Sequence, residues 1–183
     1  AVPWPAQGLY SKKEINSVAD LKGLKFRAYN SATIRIAELT GMAPTKIEAA
    51  EISQAFSTGA VESMITSPTT GKNKKIWEND VKYFYDIAAW FPKNMVIVHR
   101  GAWNKLDSAT QDLIMSEAAI AEKKGWDLSK KGNVADKKAL ADAGMKVGKV
   151  NSALEKHFQK VGSTMAEEWK KKAGDRGAAV LAD

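Results

Sequence analysis

Apolar and polar positions follow two regimes along the chain. Up to about residue 105 the apolar stretches are short and set apart by glycine, proline and polar turns; beyond it they recur at helical spacing. Pro3-Trp4-Pro5-Ala6-Gln7-Gly8 reads as a turn, because two prolines and a glycine oppose regular structure. Val18 to Leu21 can form one turn of helix before Gly23, and residues 24–28 a short strand. Asn30 or Ser31 can cap a helix running to Thr40, which Gly41 terminates. The pattern predicts a second strand over 45–48, a helix over 51–58 closed by Gly59, and a third strand over 61–66. Pro68 and Gly71 mark a loop or short helix. Residues 81–88 and 95–99 read as two more strands, separated by Trp90-Phe91-Pro92-Lys93. Met95-Val96-Ile97-Val98 is the most apolar stretch and reads as buried. This order predicts an α/β fold: a parallel or mixed sheet covered by helices, with right-handed crossovers.

After Leu106 the period lengthens. Ser108 is a candidate N-cap, and helical spacing continues to about Ala143. Ile114, Ala121, Leu128 and Ala135 recur every seven residues, and Leu113, Ile120, Val134 and Ala141 repeat beside them, interrupted at Asp127. Gly125 and Gly132 weaken such a helix without breaking it. Some 36 residues would reach about 54 Å at roughly 1.5 Å each, whereas a compact chain of this size has a radius of gyration of about 16 Å. The helix must cross the molecule or extend beyond it. Residues 145–147 suit one more strand ended by Gly148, and Asn151 can cap a last helix to about Lys172. The tail, 174–183, is small and polar enough to fray. There are no internal repeats and no low-complexity segments.

Composition narrows the function classes. The 44% hydrophobic and 27% charged content suits a globular domain, and 183 residues suffice for one domain or two small lobes. No apolar run approaches the roughly 18 residues that span a bilayer. The absence of cysteine excludes disulfides, thiolate catalysis and cysteine-ligated metal. No signal peptide is visible at Ala1, so any export signal has been removed or was never included. The net charge of +7 comes with only four arginines among 28 basic residues. The lysines are dispersed, often beside acids as in Glu122-Lys123-Lys124. That pattern suits a solvated basic surface and not a nucleic-acid reader.

Arg27 is the sharpest candidate for chemistry. It ends a predicted strand just before a predicted helix, where ligands of open α/β sheets bind and helix N–H groups are free. A guanidinium there would give a carboxylate two parallel charge-assisted bonds; the alternative is a surface arginine paired with a nearby acid. Thr66, Ser67, Thr69 and Thr70 follow the third strand and could bond a ligand's oxygens, or simply build a turn. Trp4 and Trp90 lie at loop positions that often line sites. Trp77, Trp103, Trp126 and Trp169 lie on predicted helices and read as core. Asn94 opens the apolar strand and either reaches a cleft or ends a turn. His99 and His157 stand far apart and read as surface or strand-edge residues. No metal-ligand spacing, phosphate loop or nucleophile elbow is present, so neither an enzyme nor a cofactor is expected.

One resemblance joins these features. Asp20-Leu21-Lys22-Gly23-Leu24-Lys25-Phe26-Arg27 resembles the DLKGLKxR signature of DctP-type solute-binding proteins of TRAP transporters. Gly41-Met42-Ala43-Pro44 is similar to the family's GAxP, and the run from Gln54 to Glu62 to its ALxTGxVD. The stretch from Leu106 through Gln111 resembles the lead into the family's long helix, although its proline is missing here. The match covers nearly the whole chain, and its order and spacing make it specific.

The resemblance implies a periplasmic-binding-protein-like (type II) lobe with a mixed sheet, flanking helices and a long lobe-spanning helix. Residues 1–105 would form mainly the second ligand-binding lobe. Residues 106–183 would supply the long helix and segments packing on a first lobe whose hundred or more residues are mostly absent. It further implies a periplasmic protein without cofactor that captures a small organic acid and delivers it to membrane permease subunits. Arg27 matches the family's carboxylate-binding arginine, and Thr66 and Ser67 its polar residues after the third strand. Ser67 stands where sialic-acid-binding members carry asparagine, which argues against that ligand. Pro3-Trp4-Pro5 and Trp90 resemble a subgroup with an aromatic-lined pocket. A mono- or dicarboxylate, a 2-oxo acid or an aromatic acid is expected. The competing reading is a truncated, ligand-incompetent fragment that self-associates through exposed sheet edges and apolar helix faces.

Overall fold

The computed structural model describes residues 1–181. The chain opens with strands β1 (Val2–Pro3) and β2 (Gly8–Ser11). Strand β3 (Lys25–Ala28), helix α1 (Ser31–Thr40) and strand β4 (Ala43–Lys46) follow. Next come α2 (Ile52–Ser57), β5 (Ser63–Thr66), α3 (Pro68–Asn73) and β6 (Tyr83–Tyr85). The remainder holds β7 (Lys93–Asn94), α4 (Arg100–Trp103), α5 (Ser108–Asp142), β8 (Lys146–Gly148) and α6 (Ser152–Val180).

Six strands form one mixed sheet in the order β4-β3-β5-β2-β6-β8. β3 runs parallel to β4 and β5, β2 antiparallel to β5 and β6, and β8 parallel to β6. The C-terminal ends of β3, β4, β5, β6 and β8 therefore meet the N-terminal end of β2 at one end of the sheet. Neighbouring residues on a strand point to opposite faces, and both faces are covered. Leu9, Phe26, Ile65 and Tyr85 pack with Ile36 of α1 and Leu154 and Val161 of α6. Tyr10, Met64 and Phe84 pack with Ile52 and Phe56 of α2, Leu140 of α5 and Met145. A fully buried side chain of this size contributes about 1.5–3 kcal/mol. Residues 106–183 supply Leu140, Met145, Leu154 and Val161 to these cores.

Local chemistry explains the elements nearest the site. Asn30 caps α1 by accepting from the Thr33 amide at 2.9 Å. Gly41 ends it at φ 77°, a left-handed conformation in which its N–H reaches back to the Ala37 and Glu38 carbonyls. Gly71 lets α3 lie against the sheet, since a Cβ there would collide with the Tyr10 hydroxyl.

Several expectations need correction. The turn expected over residues 3–8 ends before Gly8, which opens the central, fully buried strand Gly8–Ser11, not foreseen from the pattern. The strand predicted at 45–48 lies earlier, at Ala43–Lys46, and the one at 81–88 shrinks to Tyr83–Tyr85. Residues 95–99 form no strand. Asn94 ends the two-residue β7, and Met95, Val96, Ile97 and Val98 are exposed. An extended run joins a sheet only where a neighbour satisfies its N–H and C=O groups, and no described strand lies beside this one. Trp126 and Trp169, read as core, are also exposed. Asp107, not Ser108, caps α5, accepting from the Thr110 amide at 2.9 Å. The last helix continues past Lys172, with a non-helical break at Gly174. Of the tail expected to fray, Ala182 and Asp183 lie outside the described residues.

Candidate binding site at one end of the sheet

Arg27 sits one residue before the end of β3 and is only 4% exposed. Its Nε donates to the Ile47 carbonyl at 2.9 Å. The parallel register explains this partner: Arg27 pairs with Thr45 and Ala28 with Lys46, so Ile47 comes next as β4 ends. The Ile47 amide is itself tied to the Ala28 carbonyl at 3.0 Å. The Arg27 guanidinium carbon lies 4.6 Å from the centroid of the Tyr29 ring. Among the described residues no carboxylate forms an ion pair with Arg27, so the sequence alternative of a paired surface arginine does not hold. Burial pulls its pKa down while Tyr29 and Glu48 pull it up; a guanidinium stays charged throughout the physiological range.

Tyr29 is half-buried beside it. Burial raises the pKa of its hydroxyl, while the Arg27 charge and the nearby Trp90 side chain lower it. Arg27, Tyr29 and Trp90 are thus one cluster, with Trp90 arriving from the segment after β6. Sequence reasoning missed Tyr29 and the Ile47 carbonyl. Tyr29 had a readable signal: two places beyond Arg27 in an extended segment, it falls on the same side.

Ser67 is fully buried at the N-cap of α3. Its Oγ accepts from the Thr70 amide at 3.0 Å and from the Trp4 indole at 2.7 Å, and lies 3.1 Å from Thr70 Oγ1. Its carbonyl accepts from the Tyr10 hydroxyl at 3.0 Å. Burial, helped by the charge of Asp136, raises the Tyr10 pKa well above its ordinary value, which keeps that hydroxyl a neutral donor. Thr66 ends β5, buried and in register with Gly8. Thr69 donates to Asp136 at 2.6 Å, so its hydroxyl serves helix packing.

Trp4 and Trp90 are joined through their backbones. Trp4 N–H donates to the Pro92 carbonyl at 2.7 Å, Gln7 N–H to Trp90 at 3.0 Å, and Ala89 N–H to Gln7 at 2.9 Å. These bonds extend the β2–β6 pairing into a ribbon that ends in the β1–β7 pair. Asn94 lies far along it, exposed and opposite Val2. The structure therefore brings Arg27 and Trp90 together through Tyr29, and Trp4 and Ser67 together directly, at the end of the sheet that Thr66 also reaches. It leaves Asn94 outside both groups.

A cavity of about 780 Å³ opens between α1, α6 and residues 86–90, with walls that include Asn30, Ile65, Trp90, Phe158 and Met165. Trp90 and Asn30 connect it to the surroundings of Arg27; Arg27 itself is not in its wall. Among the described residues no group of three or more His, Asp or Glu side chains is placed to hold a metal ion. His99 Nδ1 accepts from the Gly101 amide at 3.1 Å as the cap of α4, and His157 is half-buried on α6. None of the described helices is long and apolar enough to cross a membrane. What the site offers is a buried positive charge, donors and aromatic surface: the means to recognise an anion.

Known proteins share this fold. The family model described as bacterial extracellular solute-binding protein, family 7 (DctP), matches residues 6–172. A marine metagenome TRAP solute binding protein, specific for pyroglutamate and crystallised with it, superposes with a TM-score of 0.95 at 36% identity, covering 99% of this chain and 59% of that one. DctP6 of Bordetella pertussis, an extracytoplasmic solute receptor binding pyroglutamic acid, gives 0.95 at 41% identity, covering 99% and 60%. The sialic acid-binding periplasmic protein SiaP of Vibrio cholerae is 31% identical over 107 residues, 57% of this chain and 32% of SiaP. The chain spans half or less of the curated relatives it matches and about three-fifths of these crystallised chains. With its sheet, its long helix and nearly its whole length matched, the chain belongs to the DctP family of bacterial extracellular solute-binding proteins.

Proposed function

We propose that this chain takes part, in the periplasm, in capturing a small organic acid for a TRAP transporter and handing it to the membrane permease, with Arg27 receiving the carboxylate. The observation that carries this reading is a buried arginine without a carboxylate partner among the described residues. A buried charge without a direct ion pair is costly, and a ligand carboxylate would offset that cost. Trp90 supplies apolar surface near it. The pyroglutamate-binding relatives at 36% and 41% identity support a compact monocarboxylate, and pyroglutamate is the first ligand to test. The Ser67 hydroxyl, already engaged by Trp4 and Thr70, supports a site that does not read a sialic acid as an asparagine would.

The test is titration of the 183-residue chain with pyroglutamate, followed by calorimetry and by the NMR signals of the tryptophan indoles. Arg27→Ala should weaken binding by about 2–5 kcal/mol, at least thirty-fold, as expected when one partner of a buried charge pair is truncated. Unchanged affinity in that variant removes Arg27 from the site. A self-associating, ligand-incompetent fragment would instead give concentration-dependent mass in light scattering and no response to the acid.

A further inference from the structure

The donors that Arg27 can still offer restrict how a carboxylate reaches it. A guanidinium presents two useful forks, one made by Nε with an Nη and one made by the two Nη groups. The first is closed, because Nε already donates to the Ile47 carbonyl at 2.9 Å. The Tyr29 ring packs against the group as well, its centroid 4.6 Å from the guanidinium carbon. Only the terminal Nη edge is left for an incoming acid. Tyr29 is half-buried and lies near the side chain of Trp90, whose backbone is fixed to Gln7. Ribbon, indole, phenol and guanidinium are therefore neighbours at one corner of the site.

We propose that Tyr29 is a specificity-determining residue of this site: it sets the plane and the open edge of Arg27, and with Trp90 it forms an aromatic corner that favours a compact ring bearing one carboxylate over an open chain of similar polarity. This rests on the reading of Arg27 as the carboxylate receptor. An arginine free to swing would accept acids of many shapes, because its long side chain can follow the ligand. An arginine pinned through Nε and packed against the Tyr29 ring offers a single approach, and a flat ring entering along it can lie against the aromatic corner. A flexible acid gains less from that surface and loses more rotational freedom.

The probes are pyroglutamate and N-acetylglycine, which both carry one carboxylate and one amide but differ in ring closure. Calorimetry on the 183-residue chain should show a preference for pyroglutamate. Tyr29→Leu removes the ring packed against the guanidinium and should weaken pyroglutamate binding roughly 5- to 20-fold, the range of a partly desolvated cation–π contact. N-acetylglycine should lose less, so the preference falls. Tyr29→Phe keeps the ring and should stay within about 2-fold of the parent. Tyr29 is half-buried, and thermal melts of both variants will report whether they remain folded. Wild-type affinity and preference in Tyr29→Leu would overturn the proposal, as would equal losses in the Phe and Leu variants, which a purely structural role predicts. Arg27→Ala keeps the two readings apart. If it binds pyroglutamate as well as the parent, the carboxylate assignment fails; if it loses binding while Tyr29→Leu does not, only the role of Tyr29 fails.

Discussion

The two ends of α5 both carry apolar residues and meet opposite fates. Near its C-terminus Leu140 is fully buried among Tyr10, Met64 and Phe84, and Asp136 is buried while accepting from Thr69 at 2.6 Å and Lys72 at 2.7 Å. Toward the N-terminus Leu113, Ile114, Ile120 and Leu128 are exposed, Leu113 and Ile120 by more than 60% each. What steadies that stretch is polar: the Asp107 cap, the chain's amino group on Glu122 at 2.9 Å, and the Trp126 indole on the Ala1 carbonyl at 3.2 Å. The difference teaches that an apolar helical residue adds stability only where something lies opposite it. At 35 residues the helix is about 52 Å long, and only its last turns are held by the sheet.

The sharpest way to break that comparison is to cut one apolar residue at each end. Leu140→Ala opens a cavity in a closed core and should cost about 2–5 kcal/mol. Leu113→Ala, near the exposed N-terminal end, should stay within about 0.5 kcal/mol of the parent. Urea unfolding of both variants measures the gap. Similar losses would mean that the exposed face is covered in solution.

The polar anchor should rank next. Asp136→Ala leaves the Thr69 hydroxyl and the Lys72 ammonium without their acceptor, at a cost of about 1–3 kcal/mol. Asp136→Asn keeps an acceptor for Thr69 and should lose less. Because α3 begins at Ser67, indole NMR signals from Trp4 should shift in the alanine variant if the anchor helps to position the cap. Loss of stability without any shift at Trp4 would confine Asp136 to holding α5.

The same contrast explains what was legible in the sequence. Arg27 could be found because a strand end, a helix start and a matched motif coincide there. The caps Asn30 and Gly41 were readable because their chemistry is local. Gly8–Ser11 was hidden: both its faces are buried, so it shows no alternation, and flanking prolines and glycine disguise it as a turn. Met95–Val98 misled in the other direction, since an apolar run signals a need for cover and not its presence. Trp4 and Trp90 were picked out singly. That Trp4 binds Ser67, and Trp90 stands by Tyr29, depends on a ribbon between segments more than eighty residues apart, and no local pattern encodes it.

The smallest effect belongs to the ion pair between α1 and α6, where α6 meets the sheet side of the molecule. Arg35 donates to Glu168 at 2.6 and 3.1 Å, and both side chains are largely exposed. The hydrogen bond from Arg35 lowers the Glu168 pKa, and the hydrogen bonds to Glu168 and Glu38 raise that of Arg35. A carboxylate whose pKa is lower in the folded state stabilises the fold above its unfolded pKa, in the ordinary glutamate range, and that contribution fades as pH falls through the folded value. Exposure and salt screening keep it small. Glu168→Gln should therefore destabilise slightly at neutral pH and low salt. The difference from the parent should shrink in high salt and vanish once acid has protonated Glu168. A difference that persisted in acid would show that packing of residue 168, and not its charge, ties α6 to α1.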